Sequence, residues 1–307
     1  MLPIVRTDIL VKEVLKKCDA LKRAGVWPSE PKVRPSAWLS NFDESDQAVA
    51  AVLLDRFTFY STPLTQRLLI SSFAATANGM AKGPLAPSRE QLLGSMRSAV
   101  FTGVEGEDPK PTDSGNLFCR WARDELGIPD EKFVAPNIAL DAAAQGGSVV
   151  FLDDFIGSGD QFTRTWTRPY RGTFPVTFEE AAATKPFVAL YVALVAMKQG
   201  LESINQAAPS VAISVAHVLS EQSTIRGLLS HPSFPDADLP ARISAFLTKY
   251  TPRLRPSNFM NNEKSWATYG YKDGGLMLAF EHSVPDATLP IFWCTGDADW
   301  VPLVKRA

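Results

Sequence analysis

Two adjacent acids and a short glycine turn, separated by two residues, lie in the segment 149–161, VVFLDDFIGSGDQ. Asp153 and Asp154 accept hydrogen bonds when ionised, so the pair suits the vicinal hydroxyls of a ribose. The turn Gly157-Ser158-Gly159 lets backbone N–H groups converge on an anion at the start of a helix, and the serine hydroxyl adds a donor. A diol clamp beside a phosphate cradle predicts a site for a ribose 5-phosphate group.

The surrounding elements predict that this site lies at the carboxyl edge of a parallel sheet. Residues 149–152 are all apolar, as in a strand buried on both faces, and open α/β sheets bind ligands beyond the carboxyl ends of their strands. Strands and helices alternate along the chain, with strands predicted at 98–102, 148–152, 187–193 and 211–215 and helices at 114–127, 160–170 and 198–206. This alternation predicts an α/β fold with a parallel sheet flanked by helices.

The chain is predicted to have three parts. Residues 1–95 have mainly helical patterns, and residues 96–220 contain the alternating core. Residues 221–307 combine a helical segment with two apolar runs joined by a Pro–Asp turn, GGLMLAFEHSVPDATLPIFW, which predicts a C-terminal β-hairpin packing on the core.

A second loop, residues 103–116, follows the strand at 98–102 and enters a helix at Ser114, Gly115 and Asn116. The N-terminus of that helix is a candidate for a second anion site. The loop is rich in acids, Glu105, Glu107 and Asp108, which would suit a divalent cation such as Mg²⁺ accompanying a diphosphate. An ordinary solvated loop fits the same residues, so the sequence leaves the two interpretations open.

The composition excludes several classes of protein. Lys and Arg total 31 against 33 Asp and Glu, a net charge of −2 that does not suit a protein coating DNA. Three scattered cysteines form neither a disulfide framework nor a zinc site. The N-terminal segment is no signal peptide, and the longest apolar run is too short for a membrane span. We therefore expect a soluble cytoplasmic protein with no metal site of its own.

The segment 149–161 resembles the signature of type I phosphoribosyltransferases, in which four apolar residues precede two acids, two variable residues and a Thr/Ser–Gly turn. The resemblance implies that Asp153 and Asp154 contact the ribose hydroxyls as the catalytic acids. It also implies that the 5-phosphate is bound by the loop residues, which are Gly157, Ser158, Gly159, Asp160 and Gln161. Enzymes of this family commonly carry Gly and Thr where this chain has Asp160 and Gln161.

A wider resemblance covers about residues 38–304. The segments WLSNFDESDQAVAAVLLDRFTFYS, TDSGNLFCRWARDELGI, VVFLDDFIGSGDQF, GLMLAFEHSVPDATLPIFW and WVPL are similar, in this order, to the phosphoribosyltransferase-like effector domain of bacterial conflict systems. Such domains are found beside retron reverse transcriptases and other antiphage modules. The resemblance implies a defence role inside a complex with a reverse transcriptase and its RNA or with a helix-turn-helix protein.

Two functions follow from the site and its resemblances. One is an enzyme that transfers or cleaves at ribose C1 of a nucleotide or a phosphorylated ribose, with Mg²⁺ neutralising any diphosphate. The other is a non-catalytic nucleotide-binding or scaffolding subunit of a defence complex. The acid pair and the glycine turn favour the first, whereas the acids of the second loop and the Asp160–Gln161 departure favour the second.

A stretch of about fifteen residues near the C-terminal end contains an apolar cluster, with Leu289–Trp293 and Trp300–Leu303 as its members. Large exposed apolar patches usually mark interfaces, so we expect this tail to bind a partner protein. The alternative is that the tail folds back and covers one side of the sheet.

Overall fold

The computed structural model describes residues 7–76, 88–106, 108–109, 114–172, 174–230, 238–255 and 265–306. The chain divides into two compact units, one made of Met1–Leu64 with Ser220–Ala307 and the other of Thr65–Leu219. The first unit thus combines N-terminal and C-terminal segments, whereas the sequence division at 95/96 and 220/221 stays a prediction.

Helices and strands alternate through most of the described chain. The helices are α1 (Thr7–Arg23), α2 (Pro35–Leu39), α3 (Gln47–Arg56), α4 (Thr62–Thr76), α5 (Arg89–Ser95), α6 (Ser114–Leu126), α7 (Pro136–Ala144), α8 (Asp160–Thr167), α9 (Phe178–Thr184), α10 (Lys198–Ala207), α11 (Ile225–Leu229), α12 (Leu239–Tyr250) and α13 (Trp266–Tyr269). The strands are β1 (Thr58–Tyr60), β2 (Val100–Gly103), β3 (Ser148–Ile156), β4 (Val188–Met197), β5 (Val211–Leu219) and β6 (Leu278–Phe280). No helix within the described ranges is long and apolar enough to cross a membrane.

A parallel sheet forms the centre of the Thr65–Leu219 unit. Its strands pair in the order β2-β3-β4-β5, and all three pairings are parallel. An isolated parallel bridge between Phe101 and Phe133 continues the pairing beyond β2. The sequence prediction of an α/β fold with a parallel sheet is therefore confirmed.

Helices flank this sheet along its whole width. Helices α6 and α7 contact β2 and β3, α10 contacts β4 and β5, and α5 contacts β4. In α4, the hydroxyl of Ser72 donates to the carbonyl of Ala193 in β4 at 2.7 Å. Because helices cover the strands, β3 and β4 consist almost wholly of buried residues, which explains their continuous apolar sequences.

The other unit has its own core, built around aromatic rings from distant parts of the chain. Trp38 stacks on Phe292 with ring centroids 5.3 Å apart, and Phe42 meets Trp300 edge-on at 5.6 Å. The indole N–H of Trp38 donates to the carbonyl of Ile291 at 2.8 Å. Residues about 250 positions apart in sequence thus share one hydrophobic core.

The predicted C-terminal hairpin is wrong. Strand β6 forms as expected, but it pairs in parallel with β1 rather than with the following segment. The second apolar run instead contains a 3-10 turn at Pro290–Phe292. Leu289, Ile291 and Phe292 are all buried, and the two runs meet in an isolated parallel bridge between Leu276 and Thr288 rather than in an antiparallel ladder.

The same contacts correct the expectation that the C-terminal tail is an exposed interface. Trp300, Leu303 and Val304 are buried, and Val304 forms an antiparallel bridge with Val33. The tail is therefore part of the core of its own unit.

We predict that Leu303→Ala lowers the free energy of unfolding by about 2–4 kcal/mol, because Leu303 is fully buried and its removal leaves a cavity. Val26→Ala, at an exposed residue of the same unit, is the control and should stay within about 0.5 kcal/mol of wild type. Urea unfolding of the purified variants checks both values. Equal stability of Leu303→Ala and wild type would mean that the tail does not pack as described.

Candidate functional site

Strand β3 contains both acids of the predicted site. The strand was expected to end at Leu152, but its pairing with β4 continues to Ile156, opposite Ala196. Asp153 is 1% exposed and Asp154 is 7% exposed. The acids therefore lie buried within the end of the strand rather than after it.

Asp153 is held by hydrogen bonds from three parts of the unit. Its Oδ1 accepts from the Ser114 hydroxyl at 3.0 Å and from the backbone N–H of Asp154 at 2.9 Å. Its Oδ2 accepts from the Tyr191 hydroxyl at 3.1 Å. Burial, and secondly the neighbouring carboxylate of Asp154, raise the pKa of Asp153 well above its usual range. The two carboxyl groups thus form an interacting pair that resists carrying two negative charges.

The glycine turn follows two residues after the acid pair and leads directly into α8. Gly159 is the N-cap of α8 and has φ of +86°, a left-handed conformation that suits glycine. A Cβ atom at Gly159 would lie 2.9 Å from the carbonyl oxygen of Gly200 in α10. A Cβ atom at Gly200 would in turn lie 2.2 Å from the carbonyl oxygen of Gly157. The shape of the predicted phosphate loop therefore depends on close packing against α10.

The remaining residues of the predicted phosphate loop lie at the start of α8. Asp160 is its first residue, and its backbone N–H reaches the Ser158 hydroxyl at 3.4 Å. Gln161 is the next residue in the helix. The free backbone N–H groups of a helix N-terminus attract anions, but the Asp160 carboxylate brings negative charge to the same place. The phosphate-binding role of these residues stays a prediction.

The start of α6, the candidate second anion site, lies beside the acid pair. Ser114 contacts Asp153, and Gly115 packs directly on the end of β2. A Cβ atom at Gly103 would lie 2.7 Å from the backbone carbon of Gly115. Asn116 is exposed on the first turn. The fold therefore brings the start of α6 to the acid pair.

The acids of the second loop are only partly described, since Glu107 lies outside the described residues. Glu105 forms an ion pair with Arg168 at 2.9 Å and accepts a hydrogen bond from the Tyr170 hydroxyl at 3.0 Å. Arg168 also donates to the carbonyl of Gly106 at 2.7 Å. Glu105 therefore fixes its loop to the segment after α8, and a cation-binding role for Asp108 stays a prediction.

The described ranges contain no group of three or more His, Cys, Asp or Glu side chains placed to hold a metal ion. Asp153 and Glu105 already accept hydrogen bonds from protein donors. Magnesium commonly takes only one or two protein carboxylates and completes its shell with phosphate oxygens and water. A Mg²⁺ ion that enters with a diphosphate and takes few protein ligands therefore stays a prediction.

Sequence reasoning missed two residues of this site. Tyr191 lies in the middle of an apolar strand, where a tyrosine carries no pattern that distinguishes it from a packing residue. Its ring stacks on Phe162 of α8 with centroids 4.3 Å apart. Burial, and then the nearby Asp153 carboxylate, raise the pKa of Tyr191, which keeps the hydroxyl a donor. The pairing of Arg168 with Glu105 has no sequence signal either.

The site combines an acid pair with a glycine turn at the carboxyl end of a parallel strand, beside two helix N-termini. This combination is typical of the phosphoribosyltransferase-like class of α/β proteins. The family model PRTase-CE matches residues 35–306. The chain belongs to this family of phosphoribosyltransferase-like conflict-system effectors.

A search of the curated proteins found no match. Among solved structures, the crystal structure of orotate phosphoribosyltransferase from Aeropyrum pernix is similar, with 16% sequence identity and a TM-score of 0.25. The match covers 50% of this chain and 75% of that one. A likeness this low carries no argument about chemistry.

We predict that Gly159→Ala destabilises the protein more than Gly172→Ala does. Both glycines have φ above +80°, so each substitution costs about 1–2 kcal/mol of backbone strain. A Cβ atom at Gly172 meets nothing within 4 Å, whereas one at Gly159 meets α10. Urea unfolding of the two variants isolates the packing contribution. Equal losses would show that the turn does not depend on α10.

Proposed function

We propose that this chain is the effector of a bacterial antiphage defence system of the retron type, and that it acts on a nucleotide or a phosphorylated ribose at C1. The reaction is a glycosyl or phosphoribosyl transfer or an N-glycosidic cleavage. The proposal rests on one segment of the chain. This segment runs from Asp154 near the end of β3, through Gly157-Ser158-Gly159, into the N-terminus of α8. Membership of a conflict-system effector family supports the defence role.

The proposed ligand fits the arrangement of charges along this path. The 5-phosphate binds the backbone N–H groups of the glycine turn and of α8, since a helix N-terminus favours an anion. The ribose hydroxyls donate to the acid at the end of β3. The N-terminus of α6 takes the diphosphate or nucleotide phosphate, which the 3.0 Å contact between Ser114 and Asp153 supports by linking the two regions.

The proposed reaction passes through an oxocarbenium-like transition state at C1. A carboxylate beside the sugar stabilises the positive charge that develops as the bond to the leaving group breaks. Burial strengthens that interaction, because the electrostatic attraction is larger away from water. When bound, Mg²⁺ supplies charge neutralisation for a diphosphate leaving group. The chain's own residues hold and orient the ribose.

A second function, a non-catalytic nucleotide-binding or scaffolding subunit of a defence complex, is favoured by two observations. Asp160 puts a carboxylate into the first turn of α8, where it opposes a second anion. Asp153 already accepts hydrogen bonds from three protein donors. Its carboxyl group is therefore less able to stabilise positive charge in a transition state. In either case, the proposed protein partners are a reverse transcriptase with its RNA or a helix-turn-helix protein.

We predict that cells carrying the protein with its neighbouring genes lose a nucleotide or phosphoribosyl metabolite upon phage infection, and that Asp154→Asn abolishes this loss. The substitution removes the charge that stabilises the transition state. Asp141→Asn, at an exposed acid of α7, is the matched control and should behave as wild type. Metabolite profiling of the three strains measures the change. Equal depletion with Asp154→Asn and wild type would overturn the enzymatic proposal.

Calorimetric titration of the purified protein separates the two functions. The probe is 5-phosphoribosyl 1-diphosphate with Mg²⁺. Binding without turnover, together with an unchanged metabolite profile, would favour the non-catalytic subunit. Binding that is lost in Asp154→Asn, together with depletion in cells, supports the enzyme.

A further inference from the structure

Asp153 and Asp154 are both buried at the end of β3, and Asp154 is the more exposed of the two at 7%. The Asp153 carboxylate is 1% exposed and accepts hydrogen bonds from a helix, from a neighbouring strand and from the backbone of its own strand. Both oxygens of the Asp153 carboxyl group already accept hydrogen bonds from protein donors. A ribose hydroxyl would have to displace one of these donors to reach it.

The donors of Asp153 connect the two candidate anion sites. On one side, Ser114 is the first residue of α6. On the other side, Tyr191 of β4 stacks on Phe162 of α8, with an angle of 14° between the rings. A continuous series of contacts therefore runs from α8 through Tyr191, Asp153 and Ser114 to α6.

We propose that Asp153 is a positioning residue that fixes α6 and β4 to the end of β3, while Asp154 is the acid that contacts the ribose. The inference rests on the proposed function for the identity of the ligand. The sequence predicts the same role for both acids, and the proposal gives each acid a different one. The alternative is that Asp153 binds the ribose directly, in which case its contacts with Ser114 and Tyr191 are incidental to binding.

The two roles respond differently to conservative substitution. Asparagine keeps an oxygen that accepts from Ser114 and is close to aspartate in size, so it preserves most of a positioning role. It does not replace the charge of an acid that binds the ribose hydroxyls. We therefore expect Asp153→Asn to recover most of the probe affinity lost in Asp153→Ala, and Asp154→Asn to recover little of that lost in Asp154→Ala.

The test titrates these four variants with 5-phosphoribosyl 1-diphosphate and Mg²⁺. We expect Asp153→Asn to bind within about threefold of wild type and Asp154→Asn to bind at least about tenfold more weakly, which is the scale of a charged hydrogen bond. Equal losses in Asp153→Asn and Asp154→Asn, with unchanged melting temperatures, would overturn the inference.

Two further variants probe the connection without touching either acid. Ser114→Ala and Tyr191→Phe each remove one donor to Asp153. We expect hydrogen exchange of the backbone N–H groups at 115–118 to become about fivefold faster, and probe binding about threefold weaker. Ser72→Ala is the matched control, because it removes a buried hydroxyl of the same unit that donates to a carbonyl of β4. It should change neither measurement.

The exchange measurement keeps the inference testable if the proposed function fails. If wild type does not bind the probe, the proposed ligand is wrong, and faster exchange at 115–118 in Ser114→Ala but not in Ser72→Ala still supports the positioning role. If wild type binds the probe while exchange and affinity are unchanged in Ser114→Ala and Tyr191→Phe, the function stands and the inference is overturned.

Discussion

The burial of a carboxylate at the end of β3 is the constraint on which the candidate site depends. A buried acid is costly unless donors surround it, and Asp153 receives them from α6, β4 and its own strand. Meeting that requirement brings the start of α6 to the acid pair. The turn after β3 is fixed in a similar way by the close approach of Gly157 and Gly159 to α10. The geometry of both candidate anion sites thus follows from how this strand end is packed.

The parallel sheet could be predicted because its signals are local. The apolar run at 149–152, the helix from Ser114 and the glycine turn before α8 are each encoded by a few consecutive residues. The core of the other unit could not be predicted in this way, because Trp38 meets Phe292 across about 250 residues of sequence. The apolar run around Pro290 fits a strand equally well in sequence, and only the fold shows that its backbone turns at Pro290–Phe292.

The candidate site could likewise be predicted only in its local part. Its acids and its turn are consecutive residues in a recognisable order, so their types already suggest a ribose and a phosphate. Their environments depend on tertiary contacts, and a pair of equal acids in sequence becomes an unequal pair in the fold. Tyr191 and the Glu105–Arg168 ion pair are invisible in sequence for the same reason, since each acquires its role only from a distant partner.

The central claim is that a phosphorylated ribose binds at the end of β3. A crystal structure of the protein with ribose 5-phosphate tests it most directly. The account predicts the phosphate within about 3 Å of backbone N–H groups of residues 157–161, a ribose hydroxyl on Asp154, and Asp153 still bonded to Ser114 and Tyr191. A phosphate bound away from the glycine turn, or a binding site that stays empty at saturating ligand, would contradict it.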